Sequence, residues 1–161
     1  MPSLPQLVAL VPALYLLLVA IPLTVIDLRE HRLPNRLVLP VFPIALTAQG
    51  IAIALGADWA SLGLALAVSV AIFIAGLLAN YFDWLGMGDV KLASAITLVL
   101  AFFSPWLAVL AIGFAFVLAF TVVVFKLARG KANLGQSIPL GPYMLLSFLV
   151  ALSQSVVTSL A

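Results

Sequence analysis

Five carboxylates stand in this chain: Asp27, Glu30, Asp58, Asp83 and Asp89. They dominate its chemical inventory because so little else is available. There is no cysteine, which removes thiol catalysis, disulfides, iron–sulfur clusters and zinc ribbons. The single histidine, His31, cannot make a His-Glu-x-x-His zinc site. No Gly-x-Ser-x-Gly elbow occurs, and no Gly-rich phosphate loop of Walker type. Two carboxylates working together are the best catalytic set on offer, and general acid–base chemistry is what such a pair can do. That chemistry calls for no metal and no cofactor.

The five acids differ in setting. Glu30 lies between Arg29 and Arg32 and reads as a solvated loop charge; Asp58 reads the same way, and so does His31 in its arginine-rich loop. Asp27 instead ends an apolar run directly after Val25 and Ile26, and Pro22 removes one helix hydrogen bond on the approach to it. Asp89 follows Gly86-Met87-Gly88, where two glycines permit close approaches that side chains would block. It opens an apolar segment of about 14 residues, which as a helix rises only about 21 Å, short of a full hydrocarbon core. The start of that helix is expected below the membrane surface, carrying Asp89 with it. A helix N-terminus favours a carboxylate there. Asp83 is the competing acid. On these grounds Asp27 and Asp89 are open to either a catalytic or an ion-handling role.

The elements that must position them are membrane helices. Of 161 residues, 66% are apolar and only 7% are charged, against roughly 25% charged in ordinary globular domains. So little polar surface excludes a soluble domain, a disordered chain and a nucleic-acid binder. A cleavable secretory leader needs a basic start, and the first 26 residues contain no Lys or Arg, so they read as a permanent span. Breaks in apolarity predict six spans, at about 6–27, 37–56, 61–82, 90–103, 105–125 and 139–160. Pro105, after Ser104, suits the first turn of a helix. The fold class expected is an all-α polytopic membrane protein with one domain over residues 1–161.

Charge fixes the expected orientation. Arg29, Arg32 and Arg36 lie in the first connection, Lys91 just after the third, and Lys126, Arg129 and Lys131 in the fifth. All seven therefore share a side, which the positive-inside rule makes the cytoplasm, with both termini outside. Trp59 and Trp106 fall at the outer boundary, Tyr81 and Trp84 at the inner one, as lipid-facing anchors. Gly63, Ala67, Ala71, Ala75 and Ala79 in the third span, and Ala111, Ala115 and Ala119 in the fifth, are spaced to let helices approach closely.

Three short elements then carry a resemblance. Asp27-Leu28-Arg29 followed by Leu33-Pro34-Asn35 resembles the D-x-R…(I/L)-P-N element of type IV prepilin peptidases. Gly86-Met87-Gly88-Asp89-Val90-Lys91-Leu92 is similar to their G-x-G-D-V-K-L signature. Ile138-Pro139-Leu140-Gly141-Pro142 resembles the opening of their last membrane segment. The likeness runs from about residue 20 to the end. It implies an intramembrane aspartic peptidase that removes the short basic leader of pilin-like precursors at the cytoplasmic face of the cell's inner membrane. Asp27 and Asp89 would be the catalytic pair, sharing one proton so that one activates water while the other polarises the scissile carbonyl. Gly86, Gly88, Lys91, Arg29, Pro34 and Asn35 would shape the site, with Lys91 serving equally well as a membrane anchor. The partners implied are the prepilin or pseudopilin precursor and the lipid bilayer, whose anionic headgroups suit the three loop arginines. Larger members carry an extra cysteine-bearing methyltransferase domain in the first connection. Here that connection is Leu28–Arg36 and no cysteine is present, so the short, peptidase-only form is expected. The reading from another class is a small transporter or channel subunit in which the same aspartates handle protons or cations, although acids clustered on one side suit it less well.

Overall fold

A computed structural model of the chain describes residues 3–129 and 139–160, with side chains through Ser155. Lys131 and Ile138 lie outside the described residues. Among the described residues, eight helices form six segments. The first is α1 (Leu4–Ala9) and α2 (Val11–Glu30); the second is α3 (Asn35–Val38) and α4 (Val41–Ala54). Then follow α5 (Trp59–Tyr81), α6 (Met87–Ala101), α7 (Pro105–Ala128) and α8 (Gly141–Leu160). No strand occurs among the described residues, and the expected all-α polytopic membrane fold is present. Leu4–Glu30, Asn35–Ala54, Trp59–Tyr81 and Pro105–Ala128 are each long and apolar enough to cross a membrane.

Local chemistry sets several helix ends. Asp58 caps α5 by accepting from the Ala60 N–H, and Ser104 caps α7 by accepting from Leu107 ahead of Pro105. The solvated-loop reading of Asp58 thus becomes a helix cap. α2 closes at His31, whose left-handed φ of 49° turns the chain sharply. α5 closes through the Asp83 and Trp84 amides, with Asp83 also left-handed, and Asn80 ties the turn by donating to the Leu85 carbonyl.

The centre of the bundle is α6. Its 15 residues rise only about 22 Å, and every residue from Leu92 to Ala101 is buried. α5 packs along it most extensively, with α7, α8 and α4 completing the wall. Polar side chains at depth donate across helices: Ser69 to the Ser94 carbonyl and Gln49 to the Leu98 carbonyl, while Oε1 of Gln49 is left without a partner. Outside this wall α2 packs on α8 and α4. The C-terminal end of α2 and the N-terminal ends of α6 and α8 consequently meet at one end of the bundle.

Two expectations about packing faces separate here. Ala111, Ala115 and Ala119 are buried, as their spacing predicts. Gly63, Ala67, Ala71 and Ala75 are not; they face outward. The contact face of α5 is instead Ala65, Ser69 and Gly76. Alanine is so frequent in this helix that two small-residue stripes exist, and the one bearing Gly76 admits the closer neighbour: a Cβ there would lie 2.7 Å from Cγ1 of Val90. Trp59, Trp106, Tyr81 and Trp84 are all exposed at helix ends, as expected of interfacial anchors.

Candidate active site

Asp27 lies in the last turn of α2 and is 4% exposed. Its buried carboxylate needs a donor, and the donor comes from the far end of the sequence: the Gly141 N–H, at the start of α8, reaches Oδ2 at 2.9 Å. Asp89 lies in the first turn of α6, outside the four spans named above. Its Oδ2 sits beside Gly86, whose N–H favours it, while Oδ1 is buried without a hydrogen-bond partner.

Both aspartates line the same two cavities. The smaller, about 330 Å³, is polar and is completed by His31, Arg32, Leu33, Asn35, Gly86, Met87, Gly88 and Lys91. The larger, about 620 Å³, runs from the aspartates past Asp83, Trp84 and Leu85 to one face of α7, formed by Phe116, Ala119, Phe120 and Val123. The pair therefore stands where a polar chamber and an apolar-walled chamber join.

Most of the residues singled out in the sequence converge here. Gly86 is the N-cap of α6 and leaves space for the Asp89 carboxylate, since a Cβ would approach Oδ2 to 3.0 Å. Gly88 admits Leu33, whose Cβ would lie 2.9 Å from a Cβ at 88. Lys91 donates to Oδ1 of Asn35 at 3.0 Å, joining α6 to the start of α3 across the polar chamber. Pro34 lines neither chamber, but as the N-cap of α3 it aims that short helix. Arg29 is exposed on the last turn of α2 and is not brought to the aspartates. His31 and Arg32 read from sequence as loop residues, yet both line the polar chamber and His31 lines both. Asp83 is exposed at the rim of the larger one. Gly141 went unremarked as a partner of Asp27, because a backbone donor leaves no mark on residue type. The one available signal was its place at the start of a helix in the third motif.

A family model described as the type IV leader peptidase family matches residues 14–125, more than half of the chain. The chain belongs to that family. The match takes in both aspartates, the Gly86–Gly88 turn and Lys91, and it stops before α8. No curated protein and no solved structure matches the chain. Membership of the leader peptidase family identifies a peptidase in general, and a carboxylate pair in a shared cavity is a chemical set able to hydrolyse a peptide.

Proposed function

We propose that this leader peptidase is an intramembrane aspartic endopeptidase that removes the basic leader of type IV pilin-like precursors at the cytoplasmic face of the membrane. The observation that carries the reading is the lining of both cavities by Asp27 and Asp89. With one proton between them, the ionised carboxylate takes a proton from water as its oxygen attacks the scissile carbonyl carbon. The protonated carboxyl donates to the carbonyl oxygen. Collapse of the tetrahedral species breaks the C–N bond, and the proton taken from water passes to the leaving amine. Asp89, whose Oδ1 is buried without a hydrogen-bond partner, is suited to the proton-donating role. The chamber toward α7 suits the apolar side of a membrane-anchored substrate, and the seven basic residues support a cytoplasmic site in a six-span chain with both termini outside. Peptide cleavage alone is proposed, within a single domain over residues 1–161.

The test uses the purified protein in detergent or lipid with a candidate pilin-like precursor from the same genome, followed by gel shift and mass spectrometry. Wild type releases the leader. Asp27→Asn and Asp89→Asn each lose at least about a thousandfold in rate, by analogy with other residues that act as a catalytic unit, whereas Asp83→Asn retains cleavage. An active Asp27→Asn or Asp89→Asn variant would sink the pair.

A further inference from the structure

Gly141 opens α8, so its N–H is one of the donors at a helix start that have no acceptor within the helix. It is given to Asp27. The approach leaves no space for a side chain: a Cβ at 141 would lie 2.7 Å from Oδ2 of Asp27 and 3.2 Å from Cδ2 of Leu33. Leu33 is itself buried and is met by a second glycine, because a Cβ at 88 would stand 2.9 Å from its Cβ and 3.3 Å from its backbone nitrogen. One leucine thus touches two glycines from different helices. The first glycine bonds Asp27, and the second immediately precedes Asp89 in the chain.

We infer that Gly141 is a positioning residue for Asp27, and that Leu33, held between Gly141 and Gly88, sets the spacing of the two segments that carry the carboxylates. The inference rests on the aspartate-pair reading, since spacing governs rate only where the pair does the chemistry. It gives the three sequence elements a common meeting point: Leu33 from the first, Gly88 from the second and Gly141 from the third. Where Leu33 meets positions 88 and 141 there is no space to spare, so a shift of a few tenths of an ångström at one is passed to the others and to the carboxylates beside them.

The test has a kinetic arm and a substrate-free arm, both on the full chain. In the kinetic arm Gly141→Ala lowers kcat roughly tenfold or more with KM held within about twofold, as misplacement of a reacting group does. Gly113→Ala, whose added Cβ meets nothing within 4 Å, keeps the wild-type kcat. Adding Leu33→Ala to Gly141→Ala restores part of the lost rate, so the double variant loses less than the product of the two single losses. A folded Gly141→Ala with wild-type kcat, or losses that simply multiply, overturns the proposal. The second arm does not require Gly141→Ala to fold. In Asp27→Ala the Gly141 amide exchanges its hydrogen about tenfold faster or more than in wild type, while the Met144 amide, bonded to the Leu140 carbonyl, is unchanged. Unaltered exchange at Gly141 overturns the proposal. Because exchange is read without substrate, failure of the wild-type protein to cleave any precursor counts against the peptidase reading and leaves this result standing.

Discussion

Asp89 presents one carboxylate oxygen to Gly86 and leaves the other buried without a partner. A buried oxygen without a partner is costly when charged, so Asp89→Asn, which removes the charge and keeps the size, is expected to melt no lower than wild type in detergent. A markedly lower melting temperature refutes the account. At this scale the sequence displayed the acids plainly, because a charge abutting an apolar run needs a reason. It could not display what holds them. The donor to Asp27 is a backbone N–H, and the role of Leu33 arises from contact with two distant glycines; neither leaves a trace in residue type. Lys91 shows the opposite case, a residue whose type fitted both anchoring and site-shaping and whose partner, Asn35, only packing could supply.

The six segments were legible as elements because apolar length is a strong signal in a chain with few charges. Their facing surfaces were less so. In α7 the alanines at four-residue spacing are buried, whereas in α5 the corresponding stripe faces outward and Gly76 makes the close contact with α6. Spacing alone could not choose, since which face of a helix turns inward is decided by the shape of its neighbour, here Val90. Gly76→Ala is therefore expected to destabilise the protein by about 1–3 kcal/mol, as overpacking does, and Val90→Ala is expected to recover part of that. Gly63→Ala, in the same helix with open space around it, is expected to stabilise by up to about 1 kcal/mol through its better helix propensity. Melting temperatures of the three variants in one detergent decide the matter. Equal effects at positions 63 and 76 are incompatible with this packing.

On the scale of the whole molecule, α6 is the buried axis and the remaining helices shield it from lipid. The ends of α2, α6 and α8 gather at one pole, where the polar chamber, both aspartates and Lys91 lie. Asp58, Trp59 and Trp106 sit at the beginnings of α5 and α7, toward the opposite pole. The proposed topology makes the aspartate pole cytoplasmic. The natural chain has no cysteine, so single cysteines report on topology without a background. Ala57→Cys is expected to react with a membrane-impermeant maleimide on intact cells, and Trp84→Cys only after the membrane is opened. The reverse pattern inverts the orientation and removes the site from the cytoplasm.

The hydrogen bond between Gly141 and Asp27 joins residues 114 positions apart, and it has a consequence for how the protein comes into being. Helices enter the membrane in the order in which the ribosome delivers them. Asp27 is inserted early, Asp89 later, and the donor that secures Asp27 arrives with α8, after both. Throughout synthesis the half-built protein thus holds its acids in an unfinished setting. On the proposed aspartate-pair reading, competence waits for the docking of α8, so a chain arrested before Gly141 would lodge in the bilayer inert toward its neighbours.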